Sequence, residues 1–94
     1  MKATEESRPQ PAADLLWREI DDGVLLITPD GRIQALNRSA SHIWQLIVAG
    51  QSVTEMKSSL LSTYGIPETE AEADILTFLD ELAGTGMITW AYDG

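Results

Sequence analysis

The stretch from Gly23 to Ile47, GVLLITPDGRIQALNRSASHIWQLI, carries the hydrophobic pattern around which the rest of the chain is arranged. Val24 to Ile27 is a short apolar run that suits a strand covered on both faces. Thr28-Pro29-Asp30-Gly31 is turn chemistry: proline presets φ at the second position, aspartate suits the third, and glycine accepts the left-handed conformation that follows. The stretch thus predicts a hairpin with a glycine bulge. Arg32 to Leu36 alternates, with Ile33 and Ala35 on one face and Arg32 and Gln34 on the other. Asn37 is a good helix cap, and Ala40, Ile43, Trp44 and Ile47 then recur at i, i+3, i+4 and i+7, the stripe of an amphipathic helix.

The flanks extend this unit. Leu15 to Ile20 predicts a strand with Leu15 and Trp17 on one face and Leu16 and Ile20 on the other. Asp21-Asp22-Gly23 turns it into the run at Val24. The result is a three-stranded antiparallel meander whose last strand, short and poor in bulky residues, is an edge. A first helix is expected from Arg38 to Ala49, ending at Gly50. Ser52 or Thr54 caps a second, with Val53, Met56, Leu60, Leu61 and Tyr64 on its apolar face, and Gly65 and Pro67 stop it. The third helix opens with glutamates, which favour the positive end of the helix dipole. Its stripe is Ala71, Ile75, Phe78, Leu79 and Leu82, closed by Gly84 and Gly86. Met87 to Tyr92 reads as a short final strand. Residues 1–13 are polar, with Pro9 and Pro11, and are expected to form a flexible tail before a domain over residues 14–94. Trp17 and Trp90 are expected to pack against each other's sheet region. The fold class is α+β: a three-stranded antiparallel N-terminal sheet, three helices and a short C-terminal strand, in the proportions of a winged helix-turn-helix.

Composition narrows the function. A chain of 94 residues with 44% hydrophobic and 22% charged residues is an ordinary single domain. It has no cysteine, which excludes disulfides, thiolate metal sites and cysteine nucleophiles. No apolar run approaches the roughly 18 residues of a membrane span, and the N-terminus lacks the apolar core of a signal peptide. A cytoplasmic location is the default, with no membrane partner. The net charge is −9, and nothing after Lys57 is basic while Glu68, Glu70, Glu72, Asp74, Asp80, Glu81 and Asp93 follow. Such a surface repels a phosphate backbone and attracts a cationic partner, although acids also simply keep a small domain soluble. A DNA-binding winged helix needs a basic recognition helix, and the third helix here is acidic, so no nucleic acid is expected. Acyl carriers need a serine in an Asp-Ser-Leu setting, which does not occur. Lone His42 lies off the helix stripe with no second ligand type around it, and there is no glycine-rich phosphate loop. Neither an enzyme, nor a metal site, nor a cofactor is expected.

The combination DDGVLLITPDGRIQALN, IWQL, G-x-S-V-x-E-M, Y-G and ADILTFLDELAGTGMI, spaced over about residues 15 to 88, resembles the PqqD-like family. Its members are peptide-recognition elements for ribosomally made, modified peptides, lasso peptides among them. Departures are mild: Ile88 follows Met87 where the family often has Leu-Ile or Leu-Leu. The resemblance implies a winged-helix-like domain without catalysis. It would bind the leader segment of a precursor peptide as an added β-strand and deliver it to a modifying enzyme, such as a radical SAM enzyme or a leader peptidase.

Carried over by position, the edge strand is Arg32, Ile33, Gln34, Ala35 and Leu36, and the groove wall is the third helix near Asp74, Ile75 and Phe78. The residues agree with this independently, since an exposed edge strand is a template for strand addition. Small Ala35 is expected to leave room for an apolar anchor between the strand and Phe78. Asp74, with Glu70 or Glu81 on the same flank, would meet a Lys or Arg of the leader. A proline at Gln34 would weaken binding if that residue's amide faces the added strand. The alternative is a general protein-interaction or dimerisation module of winged-helix shape that binds no leader.

Overall fold

The computed structural model describes residues 8–21 and 23–91. Its elements are β1 (Arg8–Pro11), β2 (Leu16–Ile20), β3 (Gly23–Ile27), β4 (Ile33–Leu36), α1 (Arg38–Val48), α2 (Val53–Tyr64), α3 (Glu68–Gly84) and β5 (Ile88–Ala91). Strands β2, β3 and β4 form an antiparallel meander in that order, with β4 at one edge, and β1 pairs with β5 in a separate two-stranded ribbon. This is the α+β architecture expected, with one strand more.

Local chemistry builds the meander as its residues dictate. The Gly31 amide donates to the Thr28 carbonyl at 3.0 Å, the Thr28 amide donates to the Arg32 carbonyl at 2.9 Å, and Gly31 takes φ +89°. The Thr28 hydroxyl, buried in the turn, donates to the Asp30 carboxylate and accepts from the Arg32 amide at 2.9 Å. That hydroxyl, and then Arg32, hold the Asp30 pKa below the usual carboxylate value. In the first hairpin the positive φ, +52°, falls on Asp21. Gly23 is instead the first residue of β3, where a Cβ would lie 2.7 Å from the Leu36 carbonyl oxygen. Glycine is there because the backbone of β4 passes too close for a side chain.

One face of the sheet is the floor of the core. Val24 and Leu26 of β3 and Leu36 of β4 are buried against α1, where Trp44 is wholly buried beside Ile43 and Ile47. Trp17 meets Trp44 edge-on, its ring centroid 6.0 Å away. Trp17 therefore packs on α1 rather than on the region of Trp90, which lies on the β1–β5 ribbon. Val53, Met56 and Leu60 of α2 and Ala71, Ile75, Leu79 and Leu82 of α3 close the core from the other side. Phe78, expected in this stripe, is only half-buried. Lys57 is buried along its stem and ends on Glu68 at 3.3 Å, joining α2 to the start of α3.

The N-terminal tail is corrected in part. Residues 1–7 lie outside the described residues, but Arg8–Pro11 is a strand and Ala12 is buried. The Ala12 amide donates to the Met87 carbonyl at 3.0 Å, so even-numbered residues turn their amides toward β5. Pro9 and Pro11 therefore fall where no donor is required, and they close that edge to further pairing. Arg8 fastens the strand to the α1–α2 corner through the Gly50 carbonyl at 2.8 Å and Glu55 at 2.9 Å.

Helix caps follow the sequence closely. The Asn37 side chain accepts from the Ala40 amide at 2.9 Å. Ser52 and Glu55 form a reciprocal capping box at the start of α2. The Ser52 amide, donating at 2.9 Å, is the main reason the Glu55 pKa lies below the ordinary glutamate value.

Two outcomes follow. Gly23→Ala should lower stability by about 1–3 kcal/mol, read from urea unfolding, because a backbone oxygen has to move. Ser52→Ala should cost about 0.5–2 kcal/mol; the main-chain amide stays, and loss of the smaller hydroxyl contribution should move the Glu55 carboxyl resonance to a higher titration pH than in the parent. The folded-state Glu55 pKa is depressed, so its contribution is present at neutral pH and is lost as the pH falls through that value.

Candidate functional site

The direction of backbone groups in β4 determines what its open edge offers. The Arg32 carbonyl accepts from β3 through the Thr28 amide. In an antiparallel ladder successive residues turn their N–H and C=O groups to opposite sides. With Gln34 opposite Leu26 and Leu36 opposite Val24, those two residues pair inward, while Ile33 and Ala35 present their amides and carbonyls to the open edge. The expectation placed on the Gln34 amide is therefore corrected: it belongs to the ladder with β3.

Side chains divide by the same period. Gln34 and the buried Leu36 share the inner face with Val24 and Leu26, whereas Ile33 and Ala35 point outward and are exposed. Ala35 stands opposite Leu25 and shares a shallow hollow with Ile20 and Gly23 on the outer face. It does not open space toward Phe78, as its small size had suggested, because a one-residue change of parity reverses the face.

Helix α3 runs along the inner side of this edge. The Arg32 guanidinium reaches the Thr85 carbonyl at 3.4 Å, which sets the start of β4 beside the end of α3. At the other end, a cleft of about 400 Å³ opens between α1, the end of α2 and the first half of α3. Ala40, Ile43, Leu60 and Ile66 form its apolar floor, and Phe78 lines it with part of its ring. Asn37, immediately after β4, and Ser39 stand at one side, and Tyr64, Glu70 and Asp74 complete the wall.

The structure thus brings together Glu70, Asp74 and Phe78, three of the α3 residues expected at the site. Ile75 has no exposed surface and is a core residue that positions the helix. Glu81 lies a turn beyond Phe78, exposed and outside the cleft, and its carbonyl accepts from the Thr85 hydroxyl at 3.1 Å. Sequence reasoning missed Asn37, Ser39, Ala40, Ile43, Leu60, Tyr64 and Ile66 as site residues. Asn37 reads as a cap and Ala40, Ile43, Leu60 and Tyr64 as members of helix stripes, whereas Ser39 lies off the stripe and Ile66 stands in the α2–α3 connection, where no periodicity marks it. His42, off the stripe as expected, bonds the Ser59 hydroxyl at 3.2 Å and meets Tyr64 edge-on at 5.6 Å.

The cleft is therefore apolar at its base and acidic at its mouth, and Asn37 at its side follows the open β4 edge directly in the chain. No lining residue is a cation. Among the described residues there is no cluster of His, Cys, Asp or Glu arranged to hold a metal ion, and no helix long and apolar enough to cross a membrane.

Comparison with known proteins gives this geometry its context. The family model of coenzyme PQQ synthesis protein D (PqqD) matches residues 22–88. The chain belongs to the PqqD family. Two solved structures share the fold of this PqqD-family chain. TbiB1 in complex with the TbiA(beta) leader peptide is 25% identical, with a TM-score of 0.83 over 89% of this chain and 99% of that one. Lasso peptide synthetase B1 complexed with the leader peptide is 26% identical, with a TM-score of 0.81 over 87% and 98% respectively. No curated protein matches the chain.

The ladder geometry predicts a hydrogen-exchange pattern. The Gln34 and Leu36 amides should exchange slowly, while those of Ile33 and Ala35 exchange at rates near an exposed loop. Amide exchange followed by NMR reads the four residues in one spectrum, and protection of Ile33 and Ala35 in the free protein would show the edge to be closed.

Proposed function

We propose that this PqqD-family chain binds the leader segment of a ribosomally made precursor peptide and holds it for a modifying enzyme, itself performing no chemistry. The observation that carries this reading is the open β4 edge beside an apolar, acid-rimmed cleft, in a fold shared with two proteins solved as leader-peptide complexes. The leader would add as a strand against Ile33 and Ala35, with alternate side chains directed toward α3.

Magnitudes show why both parts are needed. Two residues offer two donors and two acceptors, and each hydrogen bond nets about 0.5–1.5 kcal/mol. Micromolar affinity requires about 8 kcal/mol. Backbone pairing alone falls short, and a buried apolar anchor adds about 1.5–3 kcal/mol. The pocket over Ala40, Ile43 and Phe78 suits one large apolar side chain. Asp74 and Glu70 at its mouth favour a Lys or Arg nearby in the leader. Pairing accepts many sequences, and the pocket with its acids selects among them. The enzyme served is one that acts on the presented peptide, such as a leader peptidase or a radical SAM enzyme, and its catalytic groups are its own.

The test is a titration with the leader of a short precursor encoded beside this chain, followed by amide shifts. Changes should concentrate at residues 33–37 and 70–78. Phe78→Ala should weaken binding roughly tenfold or more in a folded domain, and Asp74→Lys should weaken it and reduce its salt dependence. Ala35→Pro removes one edge donor without touching the ladder to β3, and should weaken binding several-fold. Unchanged affinity in all three variants would rule out this groove.

A further inference from the structure

The sheet has a second surface that neither the core nor the groove uses. On its outer face the rows across the strands are Leu16–Ile27–Ile33, Arg18–Leu25–Ala35 and Ile20–Gly23. Leu16 and Ile33 are each 67% exposed and Ile20 46%. Among the described residues no helix covers this face, and α1 packs on the opposite one. Arg18 is its one charged residue, and it is exposed.

We infer that this face docks the enzyme that acts on the captured peptide, through an apolar contact patch on that enzyme carrying a carboxylate for Arg18. The inference rests on the leader-binding reading for the identity of the partner, and on three features of the surface itself for its chemistry.

First, Arg18 makes no ion pair with the described residues of a chain whose net charge is −9. Arg8 is bound to Glu55, Arg32 to Asp30 and Lys57 to Glu68, and Arg38 is also engaged. A free guanidinium amid apolar side chains fits a partner's carboxylate. Second, the face is a poor match for its own copy, because stacking it on itself brings two Arg18 guanidinium groups onto apolar surfaces whose strand residues include no carboxylate to receive either. Third, the face is continuous with the groove. Ile33 and Ala35 give their backbone to the open edge and their side chains to this surface, so a strand added to β4 lies directly beside whatever docks here.

The test separates this face from the groove. Leu16 and Arg18 lie on β2, two strand spacings or about 9.5 Å from β4. Leu16→Ser/Arg18→Glu therefore changes the face without touching the edge. Three quantities are compared with the parent: leader affinity by fluorescence anisotropy, mass by sedimentation, and the concentration of chain giving half-maximal processing of the co-encoded precursor by the co-encoded enzyme. Leader affinity within about twofold, an unchanged monomer mass and a half-maximal concentration raised roughly tenfold or more support the inference. Leu16→Ser alone, on the same face and away from the β4 edge, should raise it as well. A half-maximal concentration unchanged in both variants overturns it. So does a parent dimer that the double variant dissociates, or a parent that binds phosphatidylglycerol vesicles through these residues. If the parent binds no leader, the leader-binding reading fails. The face is then judged by direct binding of the enzyme to the chain without peptide, and equal binding by parent and double variant removes it too.

Discussion

The twofold alternation of β4 is the constraint on which the rest depends. Every residue in an antiparallel strand can turn its backbone groups to only one side and its side chain to only one face. In β4 these choices separate cleanly. Gln34 and Leu36 spend both on the interior, their amides on β3 and their side chains on the core side, while Ile33 and Ala35 give both to the outside. Four residues thus anchor a sheet and leave it extendable.

Such a strand is useful only if its register cannot slip, and both ends are fixed. At the start, the Thr28 hydroxyl, the Asp30 carboxylate and the left-handed Gly31 hold the hairpin. At the finish, Leu36 is buried, its carbonyl accepts from the buried Ser41 hydroxyl at 3.2 Å, and Asn37 caps α1 at once. The absent side chain at Gly23 lets β3 come close enough to Leu36 for this to happen. A slip of one residue would expose Leu36, bury Ile33 and turn the pairing amides outward together.

Helix α3 complements the strand because its faces are unequal. Ala71, Ile75, Leu79 and Leu82 fix it in the core, and the neighbouring stripe of Glu70, Asp74 and Phe78 is left at the cleft. Along α3 the two acids precede the half-buried ring, and all three line the cleft. The two open sides of the meander also differ in character: the groove side is acidic and concave, and the outer face is flat, apolar and marked by the single Arg18. The β1–β5 ribbon has prolines along one edge, which blocks further strand pairing there.

Much of this was legible in the residues alone. Turn chemistry at Thr28–Gly31, the caps at Asn37 and Ser52 and the 3.6-residue stripes of the helices are local properties, so the sequence by itself determined the meander, the three helices and their order. It also marked β4 as an edge and α3 as acidic. Tertiary structure alone decided the rest. The prolines of Arg8–Pro11 read as a tail because strand propensity counts a missing donor against them, whereas pairing with β5, some eighty positions away, puts both on the side that needs none. The face of Ala35 and the direction of the Gln34 amide depended on which side of the hairpin met α1, and alternation alone cannot assign inside from outside. The cleft drew on Ala40 and Ile66, which only the packing of three helices brings to Phe78. Local patterns specify elements because their energetics are local, and sites assembled across elements wait for the contacts that only a folded chain makes.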